Sequence, residues 1–520
     1  MKSIKYIVIL FLSIGFFRCT PPDNDIPVVP AEAVPVVPLS TTGLDFSNYV
    51  SLGASFTAGF TDGALFQAAQ TNSFPNILAG KFKMAGGGDF NQPMMNDNIG
   101  GMLLGGNPIQ APRLYFNGAG PVRLAATPTT EVTTPVSGPI NNFGVPGAKS
   151  FHLVAPGYGS LQALAVGAAN PYYVRMASAP TATVLGDAMA TSPTFFTLSE
   201  IGGNDVLGYA TSGGSGVDHN VTGNLDPSTY GGNDITNAAV FGSVFSNMVS
   251  TLTSGGAKGV VANVPYITDF AYFTTVPHNA IPLDSGTAAQ LNAGFAQYNA
   301  TLDQILAAKN ANLFPAPVMA LLANFDQAEV DKRKVNYAAG QNAVLILDED
   351  LTDLTIFGAP LVNMRPATAD DLIVLPASAV LGTVVGGNPT QINGVSVPLA
   401  DNWVLTPQEQ TAVKDATDAY NATIEAVANA NPNVALVDFK GILQEASTGI
   451  AFDNYTMTTQ LVVGGLISLD GVHLTARGYA LMANKILGAM DNGFGSNFMQ
   501  ATDGLATAGD YPTNYSPMLR

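Results

Sequence analysis

Tyr49-Val-Ser-Leu-Gly-Ala-Ser-Phe-Thr-Ala-Gly59 is the segment from which the architecture of this chain can be inferred. A short apolar run ends at Gly53, Ser55 follows two residues later, and Gly59 opens more small-residue chain. This pattern predicts a strand that runs into a tight turn, with the Ser55 hydroxyl at the C-terminal end of the strand. Open α/β sheets place reactive groups there, because strand ends and helix N-termini converge on a crevice with free backbone N–H groups.

Ser55 alone does not establish catalysis, because serines beside glycines are commonly turn formers whose hydroxyls bond nearby backbone. The segment also departs from the Gly-x-Ser-x-Gly elbow of the α/β-hydrolases, since Thr57 stands where the second glycine belongs. A nucleophilic role for Ser55 therefore requires a base and oxyanion donors elsewhere in the chain.

Strand and helix patterns alternate along most of the sequence. Apolar runs predict strands at 48–52, 193–198, 259–264 and 434–437. One helix face is marked by apolar residues at 4-3-4 spacing, namely Phe241, Phe245, Met248 and Leu252. Thr406-Pro-Gln-Glu409 is a capping box with proline at the first helical position. The alternation predicts an α/β fold, a three-layer α/β/α sandwich with a mostly parallel central sheet and large loop insertions.

The N-terminus has the features of an export signal. Lys2 and Lys5 precede an apolar run at 6–17, which is too short to span a bilayer of about 30 Å. Cys19, the single cysteine, resembles the lipidated cysteine of bacterial lipoproteins, although Arg18 stands where those proteins usually have a small residue. The sequence therefore predicts an exported protein, either anchored by Cys19 in the outer membrane or at the cell surface, or secreted.

Five parts of the chain follow from these patterns. They are a signal peptide with its lipobox-like cysteine at 1–19, a proline-rich tether at 20–45, an α/β core at 46–275 and 405–495, an insertion or cap at 276–404, and a C-terminal tail at 496–520. The insertion is predicted because the strand and helix rhythm is interrupted there.

Composition excludes several classes of partner. The net charge is −18, from 20 basic and 38 acidic residues, so no basic face is predicted for nucleic acid or for anionic lipid. The sequence lacks a His-Glu-x-x-His motif, and a single cysteine excludes a thiolate cluster. We therefore predict neither a metal site nor a cofactor.

A serine nucleophile requires a histidine as general base, because a hydroxyl is a poor nucleophile until its proton is removed. The sequence offers only His152, His219, His278 and His473. His473 is the best candidate, since Asp470 precedes it by three residues across a glycine. That spacing allows the carboxylate to hold one ring nitrogen while the other faces the serine. A surface loop with a helix cap at Thr475 is the alternative interpretation.

Four stretches, in this order, resemble the signature blocks of the SGNH/GDSL hydrolase family: Gly53-Ala-Ser-Phe56, Asn142-x-Gly-x-Pro-Gly147, Gly202-Gly-Asn-Asp205 and Asp470-Gly-Val-His473. The resemblance implies an SGNH, flavodoxin-like core. It also implies that Ser55 is the nucleophile, His473 the base and Asp470 its orienting acid. The oxyanion hole would be formed by the N–H groups of Ser55 and Gly147 and the side-chain amide of Asn204.

The resemblance leads us to expect an exported serine hydrolase that cleaves lipid or short-chain acyl esters through an acyl-enzyme on Ser55. Two alternatives remain open: a carbohydrate O-acetyl esterase that uses the same site, and a non-catalytic surface binding lipoprotein that retains the fold. Ala54 is the main departure, because the family usually has Asp immediately before the nucleophile. Its absence is expected to weaken the support of the turn.

Overall fold

The computed structural model describes residues 36–358 and 361–520. The predicted signal peptide, Cys19 and most of the predicted tether at 20–45 lie outside these residues. In the part of the chain that is described, no helix combines the length and the apolar composition needed to cross a bilayer.

The centre of the fold is a five-stranded, all-parallel sheet. Its strands are β1 (Tyr49–Gly53), β2 (Asn142–Gly144), β3 (Phe195–Leu198), β4 (Lys258–Ala262) and β5 (Val434–Val437). Their apolar residues are almost all buried, as expected for parallel strands that are covered on both faces. The prediction of an α/β fold with a parallel sheet is confirmed.

The order of the strands places the predicted site. The strands lie in the order β2-β1-β3-β4-β5. Flavodoxin-like sheets have the same order of strands. Leu52 of β1 pairs with Phe143 on one side and with Leu198 on the other. The chain therefore leaves β1 toward one edge and returns on its other side with β3. Such a change of direction opens a crevice at the C-terminal ends of the two strands.

The described residues contain both long helices and single helical turns. The labelled helices are α1 (Ser55–Ala58), α2 (Phe74–Phe82), α3 (Val184–Ala190), α4 (Asn204–Thr211), α5 (Ala238–Thr253), α6 (Ser285–Asn310), α7 (Gln327–Arg333), α8 (Pro407–Ala430), α9 (Phe439–Thr448) and α10 (Ala476–Phe494). The other α-helices of the described residues are Gln67–Thr71, Leu161–Leu164, Pro171–Val174, His219–Thr222, Ala271–Thr274 and Ala316–Leu321.

Helix ends and buried faces follow the sequence signals. The predicted apolar face of α5 is buried. Glu409 accepts a hydrogen bond from the Thr406 N–H at 2.6 Å, so the predicted capping box begins α8. Thr475 caps α10 through the N–H of Gly478.

The remaining strands form two-stranded antiparallel pairs outside the central sheet. They are Met102–Leu104 with Asn107–Gln110, Leu114–Phe116 with Pro121–Arg123, Ile281–Leu283 with Gly340–Asn342, Leu345–Leu347 with Met364–Pro366, Leu372–Ile373 with Val404–Leu405, Val384–Val385 with Asn388–Ile392, and Ile450–Phe452 with Tyr455–Met457. Several of these pairs lie in the segment 276–404. This segment has an apolar cluster of its own around α6, and it also contributes Val344 and Ile373 to the main core.

Candidate active site

Ser55 is the first residue of α1, a single helical turn that follows β1 directly. Gly59 ends this turn with a φ of +83°, and its N–H donates to the carbonyl of Phe56 at 3.0 Å. The left-handed conformation suits glycine, which carries no Cβ. Ser55 is therefore held at the C-terminal end of β1, as the sequence predicts, with 8% of its surface exposed.

Glu200, which follows β3, binds the N-terminus of α1. Its Oε1 accepts hydrogen bonds from Ala54 N at 2.6 Å and from Thr57 N at 2.9 Å, and its Oε2 accepts one from Thr57 Oγ1 at 3.1 Å. A Cβ at Gly53 would lie 2.1 Å from Thr57 Oγ1, so this close contact requires glycine. Burial raises the pKa of Glu200 to about 7, against the hydrogen bonds that lower it.

The turn after β2 lies beside α1. Ala148 N donates to Val145 O at 3.0 Å, and Gly147 has a φ of +80°, which fits a type II turn with glycine at its third position. A Cβ at Gly144 would lie only 2.3 Å from Ala58 N, so the end of β2 packs directly on the backbone of α1.

Asn204 is the first residue of α4 and is tied to this turn. Its Nδ2 donates to Ala148 O at 2.9 Å, which leaves the second amide hydrogen for another acceptor. The neighbouring Asp205 accepts from Ser150 N at 2.9 Å and from Ser150 Oγ at 2.7 Å. The loops that follow β2 and β3 are thus joined by side-chain hydrogen bonds.

The three predicted oxyanion donors differ in their placement. Ser55 and Asn204 line one cavity, together with Val472. Gly147 does not line this cavity, and its link to Asn204 runs through Ala148. Among the described residues, neither the Ser55 N–H nor the Gly147 N–H donates to a protein acceptor. Both groups are therefore available to a ligand.

His473 and Asp470 form the predicted pair in the turn before α10. His473 Nδ1 lies 2.9 Å from Asp470 Oδ2, and Gly63 N donates to the same oxygen at 2.7 Å. Asp470 Oδ1 accepts from the N–H groups of Val472 and His473. Burial opposes the ionisation of Asp470. The charge of His473 and the hydrogen bonds to Asp470 outweigh this effect of burial and hold the pKa of Asp470 well below the usual range. An ionised acceptor places the proton of a neutral His473 on Nδ1 and leaves Nε2 as the basic nitrogen.

Segments more than four hundred residues apart meet at this site. Thr61 Oγ1 donates to Leu474 O at 2.8 Å, and Leu469 N donates to Asp62 Oδ1 at 3.0 Å. These bonds join the segment after α1 to the turn that carries the histidine.

The ring of His473 packs against aromatic residues of the Ser55 segment. Its centroid lies 4.6 Å from that of Phe60 and 5.6 Å from that of Phe56. The structure therefore brings the predicted nucleophile and the predicted base to the same end of the sheet.

The other histidines have different partners. His152 stacks on Tyr158 with ring centroids 4.4 Å apart, and burial lowers its pKa to about 4. His219 Nε2 lies 2.9 Å from Asp234 Oδ2. His278 lies in a turn before the strand Ile281–Leu283.

Glu200 is the supporting residue that sequence reasoning missed. The sequence places it two residues after β3, where no local motif marks it as a support for α1. Only the pairing of β1 with β3 reveals which carboxylate fills the role. Comparison with protein-family models, with curated proteins and with solved structures gave no match to this chain.

Proposed function

We propose that this protein is an exported serine hydrolase of the SGNH type, with a three-layer α/β/α core, that cleaves carboxylic esters through an acyl-enzyme on Ser55. The observation that carries the proposal is the pairing of His473 with Asp470 in a turn that is hydrogen-bonded to the segment following Ser55. Anchoring through a lipid on Cys19 belongs to the same proposal.

The reaction begins when the Ser55 hydroxyl attacks the ester carbonyl and its proton passes to His473 Nε2. Asp470 holds the ring by Nδ1 and stabilises the imidazolium that forms. The N–H groups of Ser55 and Gly147 and the amide of Asn204 donate to the oxyanion. Loss of one such donor typically costs about 2.7–4 kcal/mol of barrier. The alcohol then leaves with the proton from His473, and water activated by the same imidazole hydrolyses the acyl-enzyme.

An apolar cavity beside α1 favours acyl chains as the acid part of the ester. Phe56 and Phe270 line both this cavity and the one that contains Ser55. The rest of its wall is mostly aliphatic, including Leu474, Leu481 and Met482. We therefore propose lipid or short-chain acyl esters as substrates rather than acetylated polysaccharide, because an acetyl group would not require an apolar wall.

A fluorophosphonate probe tests the nucleophile. We expect the full chain to be labelled, and Ser55→Ala to lose both the label and ester hydrolysis while it remains folded. Ser51→Ala, at a buried serine of β1, the strand that precedes Ser55, is the matched control and should keep both. Labelling of Ser55→Ala would refute the assignment, and an unlabelled native chain would favour a binding lipoprotein.

Substrate class is tested by comparing nitrophenyl acetate, butyrate and laurate with acetylated xylan. The apolar cavity leads us to expect faster hydrolysis of butyrate than of acetate. Release of acetate from xylan, with slower hydrolysis of butyrate than of acetate, would identify a carbohydrate esterase instead.

A further inference from the structure

Three carboxylates converge far from the Ser55 segment in sequence. One oxygen each of Glu349, Asp401 and Glu409 lies within 4.8 Å of the other two. Glu349 follows the strand Leu345–Leu347, Asp401 begins a 3-10 helix, and Glu409 lies in the first turn of α8. No sequence spacing predicts this cluster, because its members come from separate elements.

Two buried oxygens of this cluster lack a hydrogen-bond donor in the part of the chain that the structure describes, whereas Glu409 Oε2 accepts from Thr406 N and Thr406 Oγ1. Glu409 is only 5% exposed, and its Oε1 has no hydrogen-bond donor among the described residues. The same is true of Asp401 Oδ1. In the described chain, no lysine, arginine or histidine forms an ion pair with any of the three carboxylates. A buried carboxylate oxygen that has no donor, in a cluster that has no counter-charge, is costly, so a ligand that supplies positive charge is expected.

Two glycines after α4 make room for the cluster. A Cβ at Gly214 would lie 1.7 Å from Glu409 Oε1, and a Cβ at Gly213 would lie 2.2 Å from Asp401 O. Burial, together with the neighbouring Glu349, raises the pKa of Asp401 to about 7 and that of Glu409 to about 8.

We propose that Glu349, Asp401 and Glu409 bind a divalent cation, with Ca²⁺ as the best match. The three side chains offer only oxygen ligands, which hard cations prefer. Ca²⁺ accepts carboxylates in flexible geometry, whereas Mg²⁺ requires a nearly ideal octahedron. The bound cation joins the segment 276–404 to α8, beside the glycines that follow α4. This site is independent of the reaction proposed for Ser55.

Binding is measured on the full chain after treatment with a chelator. Calorimetric titration with Ca²⁺ should give one site per chain, and Ca²⁺ should raise Tm. Tb³⁺ in place of Ca²⁺ should show luminescence sensitised by Trp403, the single tryptophan, which lies two residues from Asp401.

Two variants and one control identify the ligands. Glu349 is exposed, so Glu349→Gln should fold normally. Because one ligand charge is lost, this variant should bind Ca²⁺ with an affinity at least about tenfold lower than that of the native chain. Glu409→Gln keeps an oxygen for the Thr406 N–H, so it should fold, lose the response to Ca²⁺ and have an equal or higher Tm without Ca²⁺. Glu425→Gln removes an exposed carboxylate from the same helix and should bind as the native chain does.

Two results would overturn the proposal. One is the absence of both a binding heat and a Tm change at millimolar Ca²⁺. The other is equal Ca²⁺ affinity in Glu349→Gln and Glu425→Gln, which would mean that the cation binds elsewhere.

Discussion

Among single residues, Glu200 is the one whose role departs most from what its position in the chain suggests. It is a side chain of the β3 loop, yet it accepts the N–H groups of Ala54 and Thr57 on either side of Ser55. A carboxylate at a helix N-terminus satisfies free donors and interacts favourably with the helix dipole. Glu200 therefore supports the turn that holds Ser55.

Removal of this carboxylate should disturb the position of Ser55 without touching the substrate. We expect Glu200→Ala to leave two N–H groups unpaired, to lower the free energy of unfolding by about 1–3 kcal/mol and to lower kcat. Glu200→Gln retains an acceptor oxygen and should recover much of kcat. Steady-state kinetics and urea unfolding of both variants provide the measurement. Equal kcat in the native chain and Glu200→Ala would contradict a positioning role.

At the level of elements, the contact between β2 and α1 fixes the position of Ser55, the proposed nucleophile, relative to the Gly147 turn. A methyl group at Gly144 would have to displace the backbone of α1, because the distance to Ala58 N is 2.3 Å. Overpacking of this kind typically costs about 1–3 kcal/mol.

Gly144→Ala should therefore reduce both stability and turnover. Gly80→Ala is the matched control, because Gly80 lies within α2 and a Cβ there meets no neighbour. That change should stabilise the chain by about 0.5–1 kcal/mol and leave turnover unchanged. Thermal unfolding and ester hydrolysis check both expectations. If Gly144→Ala behaved like Gly80→Ala, the close packing of β2 on α1 would be disproved.

The elements with strong periodic signals could be predicted from the sequence, and the short ones could not. Val434–Val437 forms the strand expected at 434–437, and α5 buries the predicted face. The two glycines that bracket Val145-Pro146 predict a turn, but no strand is predicted for β2, because a three-residue strand has no periodicity of its own. It exists because Phe143 pairs with Leu52. The many Gly, Pro and Asn residues at about 80–140 predict long loops, and the structure has two hairpins in this region.

In the candidate site, too, some residues could be predicted from the sequence and some contacts could not. Ser55, Asp470, His473, Gly147 and Asn204 could be proposed because each lies in a recognisable local motif. Contacts between distant segments carry no such local signal. For this reason the sequence did not indicate the support from Glu200 or the three-carboxylate cluster.

For the molecule as a whole, an acidic chain that buries several carboxyl groups should respond to pH in an unusual direction. Burial raises the pKa values of Asp62 and Glu200 to about 7, and burial together with Glu349 raises that of Asp401 to about 7 and that of Glu409 to about 8. In the unfolded chain these groups titrate near pH 4. Asp470, whose pKa is lowered, is ionised in both states above pH 6 and does not contribute to the change there.

Between pH 6 and pH 8 the native state therefore binds more protons than the unfolded state, so the free energy of unfolding should fall as the pH rises. Each such carboxyl contributes a slope of at most about 1.4 kcal/mol per pH unit. The lowered pKa of His152 acts in the opposite sense, but mainly below pH 6.5, where the unfolded imidazole becomes charged.

Urea unfolding at pH 6, 7 and 8 in the presence of a chelator measures the slope of the free energy of unfolding against pH. Glu409→Gln and Asp62→Asn should each make it shallower, and Ca²⁺ should restore stability most strongly at pH 8, where it competes with the fewest protons. A stability that stays constant or rises over this range would show that these carboxyl groups are ionised in the native protein at no cost.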